Sequence, residues 1–159
     1  MAVELTPFLW YNTEAEEAVR FYCGLIPNSR VVNVTALPSD SPSGPAGSVK
    51  VVEFILAGRP MQAMSAGPFD PFNHAISFMI ECETQAEIDH LWHGLQSDGG
   101  TPEQCGWVKD RYGVLWQIVP KSLARMTRDP DHTKAKRALD AMLKMVKLDI
   151  ATLEKAYNG

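Results

Sequence analysis

The chain has 159 residues, is 45% apolar, and carries 15 Lys and Arg against 19 Asp and Glu. That is enough apolar bulk for a full core, and the acidic balance repels phosphate backbones, which argues against nucleic acid as a partner. No apolar run approaches the roughly 20 residues that cross a bilayer, and Glu4 stands where a signal peptide needs base, so a cytoplasmic protein without a membrane partner is expected.

In chain order, a strand is expected over Leu5 to Tyr11, followed by Thr13-Glu-Ala-Glu16. The Thr and Glu three residues apart predict a capping box, in which each side chain satisfies an amide of the helix start. Ala15, Ala18, Val19, Tyr22 and Leu25 then recur at helical spacing, and Pro27-Asn28 ends the helix. Strands are expected over Arg30 to Leu37, Ser48 to Ala57 and Pro60 to Ser65, with Gly58-Arg59 as a hairpin turn. Between the first two lies Pro38 to Gly47, whose three Pro, three Ser and two Gly predict a mobile loop. It is read as a long connection or as a lid.

The same plan recurs 71 residues on. A strand is expected over His74 to Cys82, then Thr84-Gln-Ala-Glu87 as a second capping box. Ile88, Leu91, Trp92 and Leu95 supply the stripe, and Asp98-Gly99-Gly100 the stop. Strands follow over Pro102 to Lys109 and Val114 to Val119, separated by the turn Asp110 to Gly113. Past Pro120 the pattern becomes helical. Asp129-Pro130 is read as a cap and first turn, with Ala135, Ala138, Leu139, Met142, Met145 and Val146 as its stripe and Ile150, Leu153 and Tyr157 in a second helix. That stripe is expected to pack within the chain, bordering a dimer interface.

The expected fold is therefore α+β. Two βαβββ modules, about 1–68 and 69–120, form cupped mixed sheets in a single domain 1–120, and 121–159 is a C-terminal helical extension. The cysteines Cys23, Cys82 and Cys105 form neither a disulfide framework nor a CxxC pair, and are read as reduced, small, buried hydrophobes.

The runs Pro7-Phe-Leu-Trp-Tyr, Ala15-Glu-Glu-Ala-Val-Arg-Phe-Tyr, Phe54-Ile-Leu-Ala-Gly, Asn73-His-Ala-Ile-Ser-Phe, Cys105-Gly-Trp and Asp110-Arg-Tyr-Gly-Val-Leu-Trp-Gln-Ile-Val-Pro resemble the PhnB-like branch of the vicinal oxygen chelate superfamily, the glyoxalase / bleomycin resistance / dioxygenase group. The resemblance extends over nearly the whole chain, including Met145-Val-Lys-Leu-Asp-Ile. It implies paired βαβββ units, homodimers, and a cavity in each cupped sheet. Many relatives are labelled 3-demethylubiquinone-9 3-methyltransferase.

Catalytic members of that superfamily hold a divalent metal, and the resemblance carries its ligand positions onto Pro7, onto Gln62 or Met64, onto His74 and onto Gln117. Of these only His74 is a good ligand, since Pro has no donor atom and amide or thioether groups bind hard cations weakly. A lone His also occurs as a hydrogen-bonded structural residue. The expected pocket is thus apolar with a few polar handles, lined by Leu9, Gln62, Met64, His74, Ile76, Leu115 and Gln117, and holds a small organic ligand without cofactor or metal. The alternatives are a divalent-metal lyase, isomerase or dioxygenase, and the methyltransferase of the label. The last would need a Gly-rich turn between strand and helix, which the sequence lacks. A packed interior without a ligand is the bland reading.

Overall fold

The computed structural model describes residues 3–159, which fall into two compact units, one ending at Asp70 and the other spanning Pro71–Gly159. In the first unit, β1 (Phe8–Tyr11) leads into α1 (Ala15–Leu25), then β2 (Arg30–Ala36), β3 (Lys50–Leu56) and β4 (Arg59–Ser65). The sheet order is β1-β4-β3-β2, with β1 parallel to β4 and the other pairs antiparallel. β1 starts three residues later than expected. Pro7 has no N–H to give, and the ladder opens with its carbonyl accepting from the Gln62 amide at 3.0 Å.

Helix α1 buries Ala15, Ala18, Val19 and Tyr22 against the sheet, where Leu9, Tyr11, Val52, Phe54, Met61 and Ala63 are also buried. Each large apolar side chain so removed from water contributes about 1.5–3 kcal/mol. The expected capping box at Thr13 does not form, and the helix is entered from Glu14 instead. Ser65 supplies the missing acceptor, because β4 brings its Oγ within 3.0 Å of the Ala15 amide. Glu16, freed from capping, pairs with Arg20 at 2.8 Å. The 38–47 loop is tied to itself by a bridge between Ser41 and Gly44 and by the Ala46 amide donating to Asp40.

The second unit repeats the order: β5 (Phe78–Cys82), α2 (Gln85–Leu95), β6 (Thr101–Pro102), β7 (Trp107–Lys109) and β8 (Leu115–Pro120), arranged β5-β8-β7-β6 with β5 parallel to β8. Here the capping box is complete. The Thr84 side chain accepts from the Glu87 amide, and Glu87 accepts from the Thr84 amide at 3.1 Å. Thr84→Ala is expected to cost about 1 kcal/mol in urea unfolding, whereas Thr13→Ala should leave the midpoint almost unmoved. Ile88, Leu91, Trp92 and Leu95 are buried, as the sequence spacing predicts.

Three helices close this unit: α3 (Ser122–Thr127), α4 (His132–Met142) and α5 (Ile150–Asn158). The cap of α4 is Asp131, accepting from Thr133 and Lys134, and not Asp129, whose carboxylate takes the Asp131 amide and the Tyr157 hydroxyl. Val119, Met126, Ala138, Leu148 and Leu153 form one buried cluster, so the extension packs within its own unit. Leu139, Leu143 and Val146 stay exposed.

Candidate functional site

Each sheet has one face under its helix and one away from it, and strand register says which residues lie on which. In the second unit Phe78, Ile80, Trp116 and Ile118 share the helix side. Gln117 pairs with Met79 on one flank and Trp107 on the other, on the face away from α2. The Gln117 amide nitrogen donates to the Ser77 hydroxyl at 2.8 Å. Trp107 lies beside the His74 imidazole, ring centroids 5.9 Å apart, and His74 Nε2 is 2.7 Å from Glu103 Oε2. This face thus joins an indole, a thioether, an amide, a hydroxyl and an imidazole–carboxylate pair. An indole face takes planar organic groups, while the amide and the imidazole–carboxylate pair offer directional hydrogen bonds.

Three predicted residues fare differently here. His74 is not on a strand, because the Asn73 side chain accepts from the Ala75 amide at 2.8 Å and turns the chain, delaying β5 to Phe78. Ile76 precedes the strand and is 65% exposed. Leu115 alternates onto Gln117's side of β8 but is buried to 1%, so it serves the core and lines no open surface. The sequence reading missed Ser77, Met79, Glu103 and Trp107, although Ser77 and Trp107 stand within the quoted runs beside His74 and Cys105.

In the first unit, Phe8 pairs with Gln62 and Trp10 with Met64, which places these four on the face away from α1. Trp10 stacks on Phe69 at 5.0 Å and its indole N–H donates to the Gly67 carbonyl. Leu9 is a correction. It alternates with Tyr11, whose hydroxyl lies 3.2 Å from that of Tyr22 on α1, so Leu9 belongs beneath the helix and not with Gln62 and Met64. Among the described residues, open clefts that include none of the predicted residues lie elsewhere: about 370 Å³ at Asn28, Arg30 and Gly58, about 410 Å³ at Glu16, Arg20 and Ser65, and about 710 Å³ at Arg137, Lys144 and Lys155.

The thiols are free and unlike one another. Cys82 is buried, and burial first and then the Glu87 carboxylate push it up to about 11. Burial also raises Cys23, with Arg20 opposing, while Cys23 and Cys105 are half-buried. Native Cys82 is therefore expected to resist iodoacetamide at pH 8 and to react only on unfolding, as mass spectrometry of the alkylated peptides will show. Because its folded value lies above the unfolded one, its contribution to stability is complete below about pH 9 and is lost as pH rises through about 11.

Comparison with known proteins now decides the family. A protein-family model described as 3-demethylubiquinone-9 3-methyltransferase matches residues 3–119. The chain belongs to that family. A PhnB protein of Bacillus cereus bearing the same description is 30% identical, with a TM-score of 0.63 over 74% of this chain and 99% of its own. The protein PA1353 of Pseudomonas aeruginosa, 20% identical, has a TM-score of 0.56 over 75% and 98% of the two chains. The fosfomycin resistance protein FosX of Listeria monocytogenes, complexed with Mn(II) and sulfate, is 15% identical with a TM-score of 0.54 over 78% and 96%. The search of curated proteins returned no match.

This PhnB-like chain is thus a member of the vicinal oxygen chelate superfamily with its α+β fold of paired modules. The family match ends at residue 119, so Met145 to Ile150, counted into the resemblance on sequence, lie beyond it.

Two groups implied by the fold or the family description can be tested against the PhnB-like side chains. For a divalent cation the second unit offers His74 and Glu103, while the Gln117 amide is engaged by Ser77. Among the described residues no three His, Cys, Asp or Glu converge as a metal cage requires, so this donor set does not fit. For a methyl-donor nucleoside, α1 and α2 would need a Gly-rich entry. They start instead after Thr13-Glu14 and Glu83-Thr84, with Gly58 in a hairpin and Gly99-Gly100 behind α2, and this does not fit either.

Proposed function

We propose that the chain is a small-molecule-binding PhnB-like protein that takes a planar organic guest on the face of its second sheet away from α2, without a metal ion. The observation that carries this reading is the grouping of Trp107, Met79, Gln117 and Ser77 with the His74–Glu103 pair. The guest's ring would lie against the indole and its polar edge would meet the amide and the imidazole. Phe8, Trp10, Gln62 and Met64 offer a second such face in the first unit. The protein works as a homodimer in the cytoplasm on this reading; none of the described helices is long and apolar enough to cross a membrane.

A thermal-shift screen of aromatic acids, phenols and quinones tests the proposal, run beside elemental analysis of protein purified without chelators. It expects stabilisers that lose their effect in Trp107→Ala, and no stoichiometric metal. A full complement of zinc, manganese or iron, removed by chelator together with all ligand stabilisation, would favour the metal-dependent lyase, isomerase or dioxygenase. Binding of S-adenosylmethionine with methyl transfer to a demethylated quinone would restore the family description.

A further inference from the structure

The helical extension meets the candidate site at one turn. Glu103 and Trp107 flank the 3-10 turn Gln104–Gly106, and the Glu103 amide donates to the Trp107 carbonyl at 2.8 Å, closing the loop that carries both side chains. Its apex is held from outside. The amides of Cys105 and Gly106 donate to the carbonyls of Met145 and Val146, each at 2.8 Å. Both apex residues have left-handed backbone, φ 59° and 83°, which a non-glycine residue such as Cys105 keeps only when its surroundings impose it. Gly106 is also packed against the extension, since a Cβ there would stand 2.7 Å from the Ile118 carbonyl and 3.1 Å from Leu148. The 145–148 segment is in turn pinned to α2, where Gln85 donates to the Leu148 carbonyl at 3.2 Å and accepts from the Ile150 amide at 2.9 Å.

From these contacts we infer that the C-terminal extension is a clamp that positions Glu103 and Trp107, so that ligand affinity at the second sheet depends on residues 145–150, none of which carries a side chain of the proposed site. Leu148 and Gln85 are positioning residues in this scheme. The inference rests on the proposed binding reading, and it adds that a segment beyond the family match sets the geometry of a site within it. A backbone held at both apex amides transmits displacement directly, because a turn with left-handed residues has few alternative conformations to absorb it.

The test labels the chain with 5-fluorotryptophan, assigns the Trp107 resonance with Trp107→Phe, and titrates 1-anilinonaphthalene-8-sulfonate in parallel. Leu148→Ala and Gln85→Ala, which cuts the two side-chain bonds to the 148–150 backbone, should each move or broaden the Trp107 signal and weaken dye binding by about three- to tenfold while the protein stays folded. Leu148→Met should restore both. Tyr157→Phe, which removes the bond to Asp129 but keeps the ring packed against the Leu148 cluster, should lower the melting temperature without either change. An unmoved Trp107 resonance in a folded Gln85→Ala or Leu148→Ala chain overturns the clamp. If instead the dye binds Trp107→Ala as well as it binds the parent, the binding reading fails, and the clamp is then judged on the fluorine spectrum alone.

Discussion

Asp110→Ala is expected to lose about 3–5 kcal/mol of stability, read as a lower urea midpoint at unchanged slope. Asp110 is only 2% exposed, and its carboxyl oxygens accept from the Tyr112 amide at 2.9 Å, the Val114 amide at 3.0 Å and the Trp116 indole at 2.8 Å. The first two close the β7–β8 turn, and the third fixes the orientation of a side chain buried to 1% beneath α2. Truncation takes the acceptor from these donors, and a donor stripped of its partner inside the core costs about 1–3 kcal/mol. Asp110→Asn keeps one oxygen for the turn amides but turns an NH₂ toward either them or the indole, so an intermediate loss is expected. A drop under 1 kcal/mol for the alanine variant would mean that the buried carboxylate matters far less than its geometry implies.

Gly106→Ala combines two costs at one atom. At φ 83° an alanine pays roughly 1–2 kcal/mol for left-handed backbone, and its Cβ arrives 2.7 Å from the Ile118 carbonyl, a backbone atom that yields only by moving β8. Overpacking of this kind adds about 1–3 kcal/mol, so a total near 2–5 kcal/mol is expected in the same unfolding assay. The site should suffer with the fold, because β8 carries Gln117 and the turn carries Glu103 and Trp107. Gly24→Ala, with open space about it inside α1, is the matched control and should be neutral or slightly stabilising.

How far the sequence can be read is clearest in particular residues. The Thr84–Glu87 box and the α2 stripe were legible because both signals are local: a cap and a 3.6-residue period need no partner to be recognised. The Thr13 box failed because the acceptor that replaces it, Ser65, is brought from 52 residues away by the β1–β4 register. The face of Leu9 is illegible in the sequence for a related reason. Phe8, Leu9, Trp10 and Tyr11 are all apolar, so period-two alternation has no sign to read, and only the pairing of Phe8 with Gln62 fixes which two residues face the helix. The side of β8 on which Gln117 lies, opposite Trp116 and Ile118, is legible because Gln117 is the single polar residue in its strand. Glu103 and Trp107 were out of reach, since they meet His74 only through a turn whose left-handed Cys105 and Gly106 leave no periodic trace.

The proposal of an organic guest held without a metal ion is tested most directly by one titration: 1-anilinonaphthalene-8-sulfonate against the parent chain before and after exhaustive EDTA treatment, with Trp107→Ala alongside. The same dissociation constant is expected with and without chelator, and a loss of binding of about tenfold or more in the variant. Binding that vanishes with EDTA and returns with manganese or zinc, while Trp107→Ala binds like the parent, would contradict it.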